Sequence, residues 1–272
     1  MKITNYIRRF SLLYHNASKL KTITGGQLIY NKLLEKNIKD VFLYSGGSVM
    51  PLVDCFYNGP INYYINTHEQ NSGHAATGYA KTDKNGLPGV VITTSGPGIT
   101  NLVTPMLDAQ NDSTPLIVFS GQVGLANMGT DAFQEAPATE ITKPFTKFSY
   151  CLQNVDEIPS VIDEAFEIAN NGKKGVVHID IPKCISSQEI TIPILEEINV
   201  KSNDNSNINK DKKEKIIDRE LENTIIRIAN IINDSEKPIL YLGQGACHAS
   251  KEVLKVINKN SIPTTTTIHG KG

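Results

Sequence analysis

From Thr24 onward the apolar positions follow two alternating patterns, short unbroken runs and longer stretches with apolar residues three and four apart. Leu28, Leu33 and Leu34, behind Thr24-Gly25-Gly26, predict a short amphipathic helix. Val41-Phe42-Leu43-Tyr44 reads as a buried strand stopped by Ser45-Gly46-Gly47. Tyr63-Tyr64-Ile65, Val90-Val91-Ile92-Thr93-Thr94 and Leu116-Ile117-Val118-Phe119 repeat the strand pattern, and the last two suit strands covered on both faces. The Ala- and Gly-bearing segment after Glu69 and the stretch from Ile99 to Gln110 predict intervening helices. Asp156 is expected to cap a helix that carries Ile158, Val161, Ile162, Ala165 and Ala169 on one face. Val176 to Ile181 is then a further strand, ended by Pro182. This alternation predicts an α/β fold, a doubly wound parallel sheet flanked by helices.

Val200 to Lys215 is rich in Asn, Lys, Asp and Ser and nearly free of apolar residues, so it reads as a flexible linker. After it, Leu221, Ile225, Ile228 and Ile232 form a helical stripe, Lys237-Pro238 breaks the pattern, and Ile239 to Leu242 enters Gly243-Gln244-Gly245 as a strand into a glycine turn. A second α/β domain begins there, with barely one βα repeat and the approach to another before Gly272. So short a piece cannot bury both faces of a sheet by itself. The expected organisation is a leader over 1–21, a wound domain over 22–188, a linker over 189–217 and an incomplete second domain over 218–272.

Composition narrows the functional classes. A formal charge of -1 gives no electrostatic reason to invoke nucleic acid or a membrane surface, and no apolar run approaches the roughly 18 to 20 residues that span a bilayer. Cys55, Cys151, Cys184 and Cys247 lack CxxC spacing, which argues against a zinc site or a disulfide framework. The leader is different in kind. Lys2, Arg8, Arg9, Lys19 and Lys21 are interleaved with Ile3, Tyr6, Ile7, Phe10, Leu12 and Leu13, and no acidic residue precedes Glu35. That is the pattern of an organellar transit peptide, with a basic helix or a disordered lead as the alternative. Arg8-Arg9-Phe10-Ser11 looks like a matrix-processing site, so a mitochondrial location is expected, with the cytoplasm as alternative.

A carboxylate just past a strand of an α/β protein stands where such folds bind ligands, and Glu69 follows Tyr63-Tyr64-Ile65 at that distance. From the residues alone it is a general base or the cap of the following helix. Ser95-Gly96-Pro97-Gly98 invites a phosphate-loop reading, but neither a Walker lysine nor a G-x-G-x-x-G pattern accompanies it.

Taken together, Tyr44-Ser45-Gly46-Gly47, His68-Glu69-Gln70, Gly78-Tyr79-Ala80, Thr94 to Gly98 with Thr100-Asn101-Leu102, Gly121-Gln122-Val123, Gly129 to Glu135 and Asp180-Ile181-Pro182-Lys183 resemble the amino-terminal half of a thiamine-diphosphate enzyme. Gly-Thr-Asp-Ala-Phe-Gln-Glu narrows the resemblance to the acetolactate synthase (acetohydroxyacid synthase) large subunit. The resemblance implies that Glu69 bonds the aminopyrimidine of thiamine diphosphate and promotes loss of the cofactor's reactive proton. Pyruvate is then decarboxylated and joined to a second 2-keto acid, in branched-chain amino acid biosynthesis. It further implies that Gly47 lies near the thiazolium, that Pro97 and Asn101 support the pyrimidine pocket, that Phe133 and Gln134 line the reaction centre, and that Lys183 stands at the substrate channel.

For FAD, the resemblance brings forward Gly243, Gln244, Gly245, Thr267 and Ile268. Lys173, however, stands where the family has an arginine, and a point charge there replaces a planar fork, which counts against retained flavin. Ser45 and Thr77 also depart from the family's proline and glutamate. Family members are about twice as long, and their further half carries the Gly-Asp-Gly…Asn element for magnesium and diphosphate, which is not found in these residues. Two functions are therefore expected. One is a synthase half that works as a homodimer or with a complementary carboxy-terminal subunit. The other is a non-catalytic remnant or dimerising subunit that keeps the fold.

Overall fold

A computed structural model describes residues 20–193 and 219–271. The expected leader, 1–21, lies outside these residues except for Leu20 and Lys21, and the polar stretch Val200–Lys215 lies outside them entirely. The chain divides into two units, Met1–Ile198 and Asn199–Gly272.

In the first unit β1 (Leu20–Thr24) runs into helix Gly25–Glu35. Thr24 caps that helix: its hydroxyl accepts from Gln27 N at 3.2 Å, while the Gln27 side chain accepts from Thr24 N at 3.0 Å. Six parallel strands follow, β2 (Asp40–Leu43), β3 (Asn62–Ile65), β4 (Gly89–Thr93), β5 (Leu116–Gln122), β6 (Phe148–Cys151) and β7 (Val176–Pro182). They form one sheet in the order β3-β2-β4-β5-β7-β6. β4, β5 and β7 are buried along their whole length, as their unbroken apolar runs predict.

Side chains alternate across the sheet and divide the core in two. Val90, Ile92, Ile117, Phe119, Val177 and Ile179 pack with Ile29 and Leu33 of helix Gly25–Glu35 and Ile162 and Phe166 of helix Ile158–Asn170. Val91, Leu116, Val118 and Val176 pack on the opposite face with Ala76 of helix Glu69–Thr82 and Met106 and Ala109 of helix Val103–Asn111. Both faces are therefore covered, as expected of a wound parallel sheet.

Several local expectations need correction. The helix expected from Ile99 to Gln110 is two helices, Pro97–Thr100 and Val103–Asn111. Pro105 has no N–H to give to the carbonyl of Asn101, so one continuous helix would be broken there. Asn154, not Asp156, is the cap before helix Ile158–Asn170. Its side chain accepts from Glu157 N at 3.1 Å, and Glu157 answers by accepting from Asn154 N at 3.3 Å. The unanticipated β6 is a half-buried edge strand. Glu189–Pro193, within the expected linker, is β8, which pairs antiparallel with β1 and so takes in Leu20 and Lys21 of the expected leader.

The second unit contains helix Arg219–Asp234, β9 (Leu240–Leu242), helix Ser250–Asn260 and β10 (Thr264–Thr266), with β9 and β10 paired in parallel. Among its described residues only Ile262 is buried. No described helix is long and apolar enough to cross a membrane.

Candidate active site

Because all six strands run one way, their carboxyl ends share one edge of the sheet, where α/β folds bind ligands. Glu69 is the first residue of helix Glu69–Thr82, past the end of β3. His68 caps the helix, its Nδ1 accepting from Gln70 N at 3.1 Å, so Glu69 is not the cap. The Glu69 side chain turns inward and is only 6% exposed. Its Oε2 accepts from Asn101 Nδ2 at 3.0 Å. A carboxylate has about four acceptor positions, so this single bond leaves room for an N–H donor from a ligand.

Asn101 is placed by the turn after β4. Gly96 has φ +59°, and a Cβ there would lie 2.7 Å from the Gln134 carbonyl oxygen, so glycine is needed both for the turn and for the approach of the Gln134 loop. The loop after β2 locks onto the same turn through Ser48, whose hydroxyl accepts from Ser95 N at 2.9 Å and lies 3.0 Å from the Thr94 hydroxyl. Gly47, one residue earlier, has open space where a side chain would stand. The sequence pattern did not single out Ser48; the glycine pair before it was the available signal. The turn Ser95–Asn101 thus touches Glu69 on one side and Gln134 on the other.

Gln134 is itself left-handed, with φ 59°, and Phe133 is 88% exposed. Lys183, exposed at the end of β7, shares this edge, but β7 is four places from β3 in the sheet. Glu69, however, is held by Asn101 in the turn after β4, which is two places from β7, or roughly 10 Å at ~4.8 Å per strand. Lys173 precedes β7 and therefore stands at the opposite edge. In the second unit, Gly243 follows β9 and Thr267 follows β10, and Thr267 N donates to Leu242 O at 2.9 Å. Gly243 to Gly245 and Thr267-Ile268 accordingly share one end of that short sheet.

A separate buried polar network lies on the Val176 face of β7. Ser120 donates to Asp180 Oδ1 at 2.5 Å and lies 2.7 Å from His178 Nε2, while His178 Nδ1 lies 2.9 and 3.0 Å from the Thr142 and Ser149 hydroxyls. Gln122 Nε2 donates to Asp180 Oδ2 at 2.9 Å. Burial pushes His178 down to about 3. It pushes Asp180 up to about 7 despite the Ser120 and Gln122 hydrogen bonds. Asp180 also lines a cleft of about 510 Å³ with Gln122, Gly129, Ala132, Glu135 and Glu140. None of Gly47, Glu69, Phe133, Gln134 or Lys183 is among the residues lining it. The sequence put His178 in a strand and Asp180 in the Asp180-Ile181-Pro182-Lys183 motif, but period-two burial says nothing about which polar groups meet inside.

Residues 23–141 match the family described as thiamine pyrophosphate enzyme, N-terminal TPP binding domain. The chain is 40% identical over 253 residues to a protein of Aspergillus candidus named acetolactate synthase catalytic subunit, mitochondrial, a match covering 92% of this chain and 36% of the relative. A Saccharomyces cerevisiae protein of the same name is 39% identical over 254 residues, with the same coverage. The acetolactate synthase large subunit of Lactococcus lactis is 38% identical over 255 residues, covering 93% of this chain and 42% of the relative. The chain spans 36% to 42% of the length of these relatives. The Glu69 turn thus lies within the residues that match a thiamine pyrophosphate enzyme N-terminal TPP binding domain, and over 92% of its length the chain is similar to acetolactate synthase catalytic subunits.

Proposed function

We propose that this chain supplies the pyrimidine-binding half of an acetolactate-synthase-type active site. The observation that carries this reading is the buried Glu69 carboxylate at the sheet's carboxyl edge, oriented by Asn101 and with acceptor capacity to spare. That donor-seeking carboxylate, beside the glycine-lined turn, fits an aminopyrimidine. Thiamine diphosphate would supply the electron sink for loss of carbon dioxide from pyruvate and transfer of the remaining two carbons to a second 2-keto acid. Glu69 would hold a proton at the aminopyrimidine nitrogen, and Asn101 holds Glu69. The open backbone at Gly47 would leave room for the cofactor, and Pro97 stiffens the Ser95–Asn101 turn. Phe133 offers an apolar wall, the Gln134 amide bonds a substrate oxygen, and Lys183 draws the keto acid's carboxylate from farther along the edge.

Magnesium and diphosphate would be held by a carboxy-terminal half of the kind the longer relatives have room for, since no group of three or more His, Cys, Asp or Glu among the described residues could hold a metal ion. FAD is assigned no role, because Lys173 brings a point charge rather than a planar fork. Mitochondrial residence is supported by the names of the fungal relatives and by the acid-free basic leader.

The test is calorimetry of thiamine diphosphate with magnesium, followed by a pyruvate-to-acetolactate assay with and without the carboxy-terminal half. Activity is expected only with that half present, and Glu69→Gln should lower kcat by about 10²-fold or more. Undiminished carboligation in Glu69→Gln would reject the assignment. A chain that stays inactive with a competent half would instead favour the non-catalytic, fold-keeping subunit.

A further inference from the structure

The loop that carries Phe133 and Gln134 is built around a side chain with no role in the proposed chemistry. Glu135 folds back over its own loop. Its Oε1 accepts from the Gly129 N–H and its Oε2 from the Ala132 N–H at 3.1 Å. The Gly129 N–H, then those of Ala132, Thr130 and Asp131, hold its carboxyl below the usual range against the opposing effect of burial. Successive backbone N–H groups turned to one side form an anion-binding concavity. Here the anion is the chain's own, six residues on from the first donor.

The concavity requires unusual backbone. Gly129, Asp131 and Gln134 have φ of 80°, 55° and 59°, and the latter two are side-chain-bearing residues in the left-handed region. Each such residue is disfavoured and persists only where its surroundings over-determine it. Two contacts do so. Glu135 closes the loop from within, and the bare Cα of Gly96 receives the Gln134 backbone from outside.

We infer that Glu135 is a positioning residue, whose carboxylate occupies the Gly129–Ala132 concavity and thereby holds Gln134 against the Gly96 turn beside Glu69. The conformational part stands alone, while the catalytic consequence rests on the proposed function. Glutamine at 135 keeps the length and one acceptor oxygen, but its amide NH₂ has no acceptor role and cannot serve the second donor.

The conformational part is tested by amide hydrogen exchange and backbone chemical shifts on the full chain, with wild type compared to Glu135→Gln. The expected result is at least tenfold faster exchange at Gly129 and Ala132 and loss of the left-handed shifts of Gln134, with exchange in Leu116–Gln122 and Val176–Pro182 unchanged. Retained Gln134 shifts and protection would overturn the inference, and so would loss of protection throughout those strands, which would mark a merely structural role.

The catalytic part is read in the enzyme complemented with a carboxy-terminal half. There Glu135→Gln and Gln134→Ala should alter kcat and KM in the same sense, and the double variant should be no worse than Gln134→Ala. Additive losses would show that Glu135 does not act through Gln134. If the complemented wild type has no activity, the functional reading fails while the exchange and shift results still decide the loop.

Discussion

The two units put similar sequence patterns to unequal use. In the first, β4, β5 and β7 are buried from end to end between two layers of helices. In the second, β9 and β10 also run parallel and a helix joins them, yet Ile225, Ile228 and Ile231 of helix Arg219–Asp234 are 57%, 50% and 60% exposed. A parallel sheet is stable when both faces are covered. The first unit meets that condition with its own helices, and the second does not meet it with its described residues.

That contrast can be broken most forcefully in the centre of the larger sheet. Phe119 is fully buried in β5, and Phe119→Ala should cost about 3–5 kcal/mol in urea unfolding of the first unit. A cost under about 1 kcal/mol would mean that this sheet is no better packed than the smaller one.

A pH experiment probes the polar part of the same core. The raised Asp180 contributes stability that is fully present below 3.8 and lost as pH rises toward about 7. The depressed His178 contributes stability that is present above 6.5 and lost as pH falls toward about 3. The two oppose each other between about pH 4 and 6.5, so Asp180→Asn should leave the His178 dependence uncovered. Its stability should climb more steeply than wild type across that window, in denaturation followed at half-unit steps. Parallel curves would remove Asp180 from the linkage.

The smallest effect is expected in the second unit. Ile228→Ala should change the stability of the isolated chain by within about 0.5 kcal/mol, because the side chain is already half in water. A much larger loss would show that this face is covered in solution.

The larger features were legible because they rest on local pattern. Val90 to Thr93, Leu116 to Phe119 and Val176 to Ile181 each declare a doubly covered strand, and Thr24 followed by Gln27 declares a helix start. Features that rest on distant partners were not legible. β1 and β8 are strands only because Leu20–Thr24 meets Glu189–Pro193 across the whole domain. β6 is a half-buried edge whose four residues, Phe148-Ser149-Tyr150-Cys151, are too few to establish a period. Around the turn after β4, the motifs singled out Glu69, Gly47, Asn101 and Gln134, but not Ser48, which ties two loops together, nor the grip of Glu135 on Gly129 and Ala132.

The sequence by itself determined the alternation of strands and helices, hence a parallel sheet, and the residue types available at its carboxyl edge. Hydrophobic periodicity and glycine turns act over a few residues, and a chain read in order displays them. Only the tertiary structure decided that Asn101 rather than solvent meets Glu69, that Lys183 follows a strand two places from β4, and that His178 and Asp180 both meet Ser120. Those outcomes depend on strand order and loop closure, which bring together residues far apart in the chain, and local spacing carries no record of them.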